Sequence, residues 1–250
     1  MQTKNLIIDT DIGTDVDDLI ALAYAIKQGA PIKAITTVQG DTKVRAKIAK
    51  KLTDILGVNI PIISGLESLQ ATKYWTGIEE LALTMQEKEM KIRDASWPMY
   101  EQGDILVCLG PLTNIAEQIK NNPTIKNIKT LYIMGHEDSH NLKVDPDAAK
   151  LVLSQDWTIY QITKQTSKQV IITKQDLEKI KGSRLGDFVY ESAKRWLNYA
   201  QKENLPMYDP LTISAALNEE YVNFKKTEKN RYVSEGVDSE VKDKILNAIK

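Results

Sequence analysis

The chain has 250 residues, of which 33 are Lys or Arg and 34 are Asp or Glu, so its formal net charge at pH 7 is −1. Balanced charge without a lysine- or arginine-rich block argues against a nucleic-acid-binding protein and against a polybasic membrane anchor, because both need clustered positive charge. Apolar residues (42%) and charged residues (27%) stand in the proportion of an ordinary globular protein.

The predicted elements alternate between short apolar runs and helical patterns. In chain order, we predict strands at residues 6–8, 32–38, 60–63, 105–109, 131–134 and 157–162, and helices at residues 19–26, 42–56, 114–119 and 146–154. In the second helix Val44, Ile48 and Leu52 lie four residues apart on one face. This alternation predicts an α/β fold with a mostly parallel central sheet and helices on both faces.

The C-terminal part, from Lys174 onward, is predicted to be mainly helical, with helices at residues 185–199 and 211–217. Because no Pro/Gly/Ser-rich linker divides the chain, we expect a single domain over residues 1–250.

The cysteine content and the N-terminal residues bear on the compartment. Cys108 is the single cysteine, so neither an intrachain disulfide nor a cysteine-cluster zinc site can form. The first apolar run, residues 6–8, is too short for a signal peptide, and no stretch reaches the ~20 apolar residues of a membrane span. We therefore expect a soluble, cytoplasmic protein without a membrane partner.

A run of carboxylates follows the first predicted strand. Five of the ten residues 9–18 are acidic: Asp9, Asp11, Asp15, Asp17 and Asp18. Two like charges ~4 Å apart repel by roughly 4 kcal/mol at an effective dielectric near 20, and a bound cation relieves that repulsion. Oxygen ligands suit Ca²⁺ or Mg²⁺, and ligands on open α/β sheets bind at the carboxyl edge of the strands. The pattern predicts a metal site, the alternative being a solvated loop in which Asp17 caps the helix.

Some known acidic and phosphate-binding motifs do not fit this loop. An EF-hand that starts at Asp9 needs Gly at its sixth place and Glu at its twelfth, where this chain has Thr14 and Ile20. The Gly-Lys-Ser/Thr of a P-loop is missing. A haloacid-dehalogenase-type phosphatase with Asp9 as nucleophile stays open as an alternative, although Ile12 interrupts its usual Asp-x-Asp-Gly-Thr.

Six segments between residues 6 and 211 carry further motifs in a fixed order. They are residues 7–18, residues 35–41, Gly-Pro-Leu-Thr-Asn-Ile-Ala at residues 110–116, residues 133–135, Asn141 with Asp-Pro-Asp-Ala-Ala at residues 145–149, and Tyr-Asp-Pro-Leu at residues 208–211. Together they resemble the inosine–uridine-preferring nucleoside hydrolase family. The opening loop is similar to the family's Asp-x-Asp-Pro-Gly-x-Asp-Asp, with Ile12 in place of the proline and two extra residues.

The resemblance implies hydrolysis of the N-glycosidic bond of a ribonucleoside or related N-riboside by a Ca²⁺-dependent enzyme, commonly a homodimer or homotetramer. The implied Ca²⁺ ligands are Asp11, Asp18, the backbone carbonyl of Leu109, and Asp209. The implied substrate contacts are Asp17 and Asn141 to the ribose, Asp41 in place of the family's Asn, and Tyr208 in place of its late His. Asp11 is expected to deprotonate the metal-bound water as general base.

The remaining residues around these motifs have more open roles. Tyr74 and Trp75 are candidates for stacking on a base, Asp9 is expected to orient the loop, and Asp15 has no counterpart in the family pattern. We interpret His136 and His140 as exposed polar loop residues, the alternative being a leaving-group acid or pocket lining.

Three departures from the family pattern affect the predicted chemistry. Tyr208 replaces a His and is a poorer acid at its ordinary pKa near 10. Ser139 stands where the family often has Glu, and the segment of residues 135–141 is short. Two alternatives therefore stay open beside hydrolysis: a family member that binds a ribosylated ligand without turnover, and a Mg²⁺-dependent phosphohydrolase that uses Asp9.

Overall fold

The computed structural model describes residues 4–67, 75–92, 96–218 and 220–250. Its centre is an eight-stranded sheet in the order β3-β2-β1-β4-β5-β6-β10-β9, in which only β9 runs antiparallel to its neighbour. The strands of this sheet are β1 (Leu6–Thr10), β2 (Ile32–Thr37), β3 (Ile62–Ser64), β4 (Ile105–Cys108), β5 (Thr130–Met134), β6 (Thr158–Ile162), β9 (Val222–Glu228) and β10 (Arg231–Val237). A separate antiparallel pair consists of β7 (Ile171–Thr173) and β8 (Asn204–Pro206).

Helices connect most of these strands. They are α1 (Asp17–Lys27), α2 (Thr42–Ile55), α3 (Met85–Lys88), α4 (Thr113–Asn121), α5 (His140–Val144), α6 (Pro146–Leu153), α7 (Lys164–Ser167), α8 (Lys174–Lys179), α9 (Arg184–Ala200), α10 (Tyr208–Ala216) and α11 (Glu240–Ile249). Short 3-10 turns lie at Glu79–Ala82 and Pro123–Asn127. No helix in the described ranges is both long and apolar enough to cross a membrane.

Strand β1 explains why the acidic loop lies where it does. All five of its residues are buried, as is typical of a parallel strand covered on both faces. It pairs in parallel with β2 on one side and with β4 on the other. The strand order therefore reverses at β1, and such a switch point opens a crevice at the carboxyl ends of the strands. The loop that follows β1 lies in this crevice.

The core is divided by the sheet into two layers. Ile8 belongs to a cluster with residues of α1, α9 and α10, whereas its neighbour Ile7 packs with residues of α4 and α6. Successive side chains of a strand point to opposite faces, so both faces of β1 are covered by helices. The predicted mostly parallel sheet with helices on both faces is confirmed.

The prediction of a mainly helical C-terminal part is confirmed, and this part also contributes strands that were not predicted. Four helices do lie there, but β9 and β10 form a hairpin that extends the sheet. Most of β9 is exposed at the sheet edge, and its sequence Val-Asn-Phe-Lys-Lys-Thr-Glu lacks an apolar run. Charged edge strands of this kind resist edge-to-edge pairing, and they leave little hydrophobic signal in the sequence.

Candidate active site

A cavity of about 510 Å³ opens at the carboxyl edge of the sheet. Its volume lies in the range of small-molecule sites. The lining residues are Asp11, Thr14, Asp15, Asp17, Asp18, Gln39, Thr76, Leu109, Met134, Ser139, His140, Asn141, Lys164, Trp196, Tyr199, Ala200, Lys202, Tyr208 and Asp209. Carboxylates from both ends of the chain therefore meet in one cavity.

Three of these carboxylates form a compact cluster. Asp17 and Asp18 begin α1, Asp209 is the second residue of α10, and one oxygen from each lies within 4.8 Å of the others. All three are buried, and burial, followed by the charges of the neighbouring carboxylates, raises the pKa of each well above its ordinary value. A buried, all-oxygen donor set with mutual repulsion fits a hard divalent cation such as Ca²⁺ or Mg²⁺.

Asp11 lies beside this cluster rather than within it. Burial raises the pKa of Asp11, and its negative charge contributes to the raised pKa of Asp18 and of Asp209. A Cβ at Gly110 would lie 2.8 Å from Asp11 Oδ1, so the approach of this carboxylate to the Gly-Pro-Leu-Thr-Asn segment needs a glycine. Asp17, which the resemblance assigned to the ribose, has a carboxylate oxygen within 4.8 Å of those of Asp18 and Asp209.

A buried arginine forms hydrogen bonds to the acidic loop. Arg45 of α2 is 0% exposed. Its Nε donates to the carbonyl of Gln39 at 2.6 Å, its Nη1 to the carbonyl of Ile12 at 2.8 Å and also to that of Asp11, and its Nη2 to Thr14 Oγ1 at 3.2 Å. Its positive charge also lowers the pKa of Asp11 against the larger effect of burial. Arg45 therefore fixes the loop backbone and offsets part of its charge.

Glu79 completes this support from the 3-10 turn. The side chain is buried, Oε1 accepts from Thr14 Oγ1 at 2.5 Å, and Oε2 accepts from Thr76 Oγ1 at 2.9 Å. Neither Arg45 nor Glu79 was predicted from the sequence as a support of the loop. One signal was present for Arg45, because it shares the helical spacing of the buried Ile48 and Leu52 and therefore lies on the apolar face of α2.

Asp9 points into the sheet and is absent from the described cavity lining. It is fully buried, and its Oδ1 accepts from Thr36 Oγ1 at 2.5 Å and from Asn114 Nδ2 at 2.7 Å. Asn114 also donates to the carbonyl of Thr37 and accepts from the amide of Leu66. This network ties β1, β2 and the segment after β3 together. A nucleophile must reach its substrate, so the position of Asp9 argues against the phosphohydrolase alternative.

Leu109 and Asn141 bond to each other. Asn141 Nδ2 donates to the carbonyl of Leu109 and to that of Met134, the latter at 3.0 Å. The Leu109 carbonyl, a predicted metal ligand, therefore already accepts one hydrogen bond and keeps one lone pair. Both residues line the cavity.

Asp41 and Trp75 are predicted to contact the substrate, and in the structure they contact α2 and the segment before it. Asp41 is exposed and caps α2, its Oδ1 accepting from the amides of Lys43 and Val44 at 3.0 Å each. The Trp75 ring packs on Gly40 and lies 5.3 Å from the guanidinium carbon of Arg45. Neither is among the lining residues, whereas Gln39 is.

Aromatic side chains enter the cavity from the C-terminal half instead. Trp196 and Tyr199 lie on α9 and Tyr208 begins α10. Burial, followed by the charges of Asp17 and Asp15, raises the pKa of Tyr208 above 10, which makes it a weaker acid still. Tyr74, the other predicted aromatic contact, lies outside the described residues.

The two histidines differ in position. His140 lines the cavity, and burial lowers its pKa despite the opposing charge of Asp11. His136 lies 3.9 Å from Glu137 and is absent from the described lining. His140 is exposed at the cavity, so it fits both the interpretation as an exposed residue and the alternative of pocket lining, whereas His136 is half-buried outside the described lining.

Asp15, which had no counterpart in the family pattern, also lines the cavity. Burial, followed by the charges of Asp18 and Asp11, raises its pKa to about 7, while the Lys202 ammonium acts in the opposite direction. The two extra residues of the loop thus add a fifth carboxylate to the cavity, beside Asp11, Asp17, Asp18 and Asp209.

Comparisons with known proteins point to one family. The sequence model of a family described as "Inosine-uridine preferring nucleoside hydrolase" matches residues 6–243. A probable uridine nucleosidase 2 from Oryza sativa subsp. japonica is 25% identical over 260 residues, covering 89% of this chain and 77% of the relative. The non-specific ribonucleoside hydrolase RihC from Salmonella newport is 26% identical over 243 residues, covering 84% and 77%. The solved plant nucleoside hydrolase PpNRh1 shares the fold with a TM-score of 0.81 at 21% identity, covering 99% of each chain.

Proposed function

The chain belongs to the inosine–uridine-preferring nucleoside hydrolase family, and on that premise we propose that it hydrolyses a ribonucleoside or related N-riboside to ribose and free base, with Ca²⁺ as cofactor and Asp11 as general base. The named relatives are a uridine nucleosidase and a ribonucleoside hydrolase, so hydrolysis of an N-glycosidic bond is common to them.

One observation carries the proposal. Asp17, Asp18 and Asp209 place carboxylate oxygens within 4.8 Å of one another, and Asp11 lies beside them in a cavity of nucleoside size. Such a cluster is costly to bury without a cation, and sugar hydroxyls are suitable further oxygen ligands.

The residues proposed to hold the cation are Asp11, Asp18, Asp209 and the free lone pair of the Leu109 carbonyl, with Asp17 within reach of the same ion. When bound, the cation neutralises these carboxylates and promotes the ionisation of water near neutral pH. Ca²⁺ accommodates six to eight oxygen ligands in flexible geometry, which suits a donor set of carboxylates, one carbonyl and two ribose hydroxyls.

The protein's own residues account for the remaining steps. Asp11 accepts the proton of the attacking water, and the buried carboxylates stabilise the positive charge that builds on the ribose as the C1′–N bond breaks. Asp17 binds the ribose hydroxyls. Arg45 keeps the loop in register through its bonds to the carbonyls of Asp11 and Ile12. Trp196 and Tyr199 offer apolar surface for the departing base.

The test is direct. Inosine, uridine, cytidine and adenosine are incubated separately with the purified full chain and saturating Ca²⁺, and free ribose is measured as reducing sugar. We expect ribose from at least one nucleoside and its loss on chelation of the metal. Absence of ribose from all four nucleosides contradicts the proposal.

A second candidate, binding without turnover, rests on Tyr208. This residue replaces the family's His, and burial raises its pKa above the ordinary value, so it is a poor proton donor to a leaving base. Calorimetry that shows nucleoside binding, alongside an assay that detects no ribose, would favour this candidate over hydrolysis.

A further inference from the structure

The cavity has an acidic floor and two walls of different chemistry. The floor consists of the five lining carboxylates Asp11, Asp15, Asp17, Asp18 and Asp209. One wall carries the aromatic side chains Trp196, Tyr199 and Tyr208. A second wall follows strands β5 and β6 and carries Ser139, His140, Asn141 and Lys164. A ribose whose 2′ and 3′ hydroxyls face the carboxylates presents its base and its 5′ carbon in different directions. Because the aromatic wall suits the base, the polar wall is left for the 5′ carbon.

Charge is distributed unevenly between the floor and the polar wall. The acidic lining residues all belong to the loop after β1, to α1 or to α10, and none of the described lining residues of the polar wall is acidic. The polar wall is therefore neutral to positive.

Lys164 is the cation of that wall. Its side chain is exposed at the cavity, and it forms no ion pair within the part of the chain that the structure describes. The acidic residues of the neighbouring loop contact other side chains. Asp138 pairs with Lys143 at 3.0 Å, and Glu137 Oε1 lies 3.9 Å from His136 Nδ1.

The other cations of the site have partners. The positive charge of Arg45 lowers the pKa of Asp11, and that of Lys202 lowers the pKa of Asp15. Lys202 Nζ also lies 4.7 Å from the centre of the Trp196 ring. The positive charge of Lys164 instead lowers the pKa of His140, which also belongs to the polar wall. A neutral riboside offers Lys164 no counter-charge, whereas an anionic group on the 5′ oxygen does.

We propose that Lys164 and the polar wall form a subsite for a phosphate on the 5′ oxygen of the substrate, so that the preferred substrates are phosphorylated N-ribosides rather than neutral nucleosides. The inference rests on the proposed function and deepens it. Lysine ammonium groups bind phosphate by charge-assisted hydrogen bonds. The reaction itself is unchanged: water adds its oxygen to C1′, the C1′–N bond breaks, the base leaves with a proton, and ribose 5-phosphate is released with its phosphate ester intact.

The first experiment compares inosine with inosine 5′-phosphate at saturating Ca²⁺. We expect kcat/KM of the wild type to favour the phosphorylated substrate about tenfold or more, the scale of one charge-assisted contact, and Lys164→Met to bring the ratio close to one. Lys168→Met is the matched control, because Lys168 is exposed at the end of the same helix and is absent from the described cavity lining. This control should keep the wild-type ratio.

Two outcomes of this comparison overturn the inference. One is a wild type that hydrolyses inosine but not its 5′-phosphate, or prefers inosine. The other is a ratio that survives Lys164→Met, and if Lys202→Met removes it instead, the phosphate lies at the aromatic wall.

A binding measurement separates failure of the subsite from failure of the hydrolytic function. Calorimetry in Ca²⁺ should show tighter binding of ribose 5-phosphate than of ribose, and Lys164→Met should remove the difference. If neither substrate is hydrolysed but this difference is present and depends on Lys164, the subsite stands and the hydrolytic function fails. If inosine is hydrolysed and the two sugars bind equally, the hydrolytic function stands and the subsite is overturned.

Discussion

Arg45 Nη1 donates a hydrogen bond to the backbone carbonyl of Ile12 at 2.8 Å, which joins the buried face of α2 to the loop that carries the carboxylates. The same nitrogen reaches the carbonyl of Asp11, and Nη2 reaches Thr14 Oγ1. One guanidinium therefore satisfies consecutive loop carbonyls that would otherwise be buried without donors, a state that costs about 1–3 kcal/mol for each polar group.

Replacement of Arg45 should destabilise the protein and loosen the loop. For Arg45→Met we expect a loss of about 3 kcal/mol or more in the free energy of unfolding, because the carbonyls of Gln39, Asp11 and Ile12 lose their donor and the carboxylates of the loop lose a compensating charge. Urea unfolding of the metal-free protein measures it. Lys43→Met, on the exposed side of the same helix, is the control and should change stability by less than about 0.5 kcal/mol. Equal stability of the two variants would show that Arg45 does not support the loop.

Asp209 offers the sharpest test of the metal site. It is buried, and α10 has its N-cap at Met207 without a side-chain capping bond, so a capping role for Asp209 is not seen. Asp209→Asn should weaken Ca²⁺ binding by orders of magnitude and remove the rise in melting temperature that Ca²⁺ gives the wild type. In metal-free buffer the variant should be at least as stable as the wild type, since one repelling charge is gone. Unchanged Ca²⁺ affinity in calorimetry would remove Asp209 from the site.

Asp11→Asn should abolish turnover while the fold survives. The substitution removes a proposed ligand charge and the proposed base together, so we expect kcat to fall by ~10³-fold or more. Circular dichroism and the urea midpoint should remain close to those of the wild type. Turnover within tenfold of the wild-type value would exclude Asp11 as the general base.

The stability of the metal-free protein should fall as the pH rises. The pKa values of Asp9 and Asp15 are raised by burial to about 7, whereas an unfolded aspartate titrates near 3.9. A group with a raised folded pKa contributes stability that is complete below the unfolded pKa and is lost as the pH passes through the folded pKa. We expect the melting temperature in EDTA to drop by several degrees between pH 5 and pH 8.

The same titration has two controls. Asp15→Asn should flatten the pH dependence, and Asp147→Asn, an exposed residue of α6, should leave it as it is. Ca²⁺ should raise the melting temperature most at pH 8, where the carboxylates are ionised. A melting temperature in EDTA that rises from pH 5 to pH 8 would contradict this account of the carboxylates.

Substitutions at Asp41 distinguish a role as helix cap from a role in contacting the sugar. As a cap, its change to Ala should lower the free energy of unfolding by ~1 kcal/mol, and Asp41→Ser should restore most of that loss because Ser also caps helices well. The KM for the nucleoside should stay within about twofold in both variants. An increase of tenfold or more in KM, without a change in stability, would return Asp41 to the substrate site.

The parts of this protein that could be predicted from the sequence are those that depend on the spacing of residues close together in the chain. The buried strand β1, the period of α2 and the alternation of strands and helices follow from where apolar residues recur along the chain. The acidic loop was predicted to lie at a carboxyl strand edge because Asp11 and its neighbours directly follow an apolar run. The resemblance of six ordered motifs then linked Asp209 to that loop across most of the chain.

Only the tertiary structure decided which polar groups share the cavity and which merely support it. Arg45 and Glu79 are buried supports, Asp41 is a cap, and His140 and Lys164 line the cavity. Sequence spacing places Arg45 on the apolar face of α2, but it does not show which polar groups share the cavity, because that depends on the packing of helices and loops far apart in the chain. A charged side chain has the same local pattern whether it ends in solvent, in the core or in a cavity, and its partners, contributed by distant elements, determine the outcome.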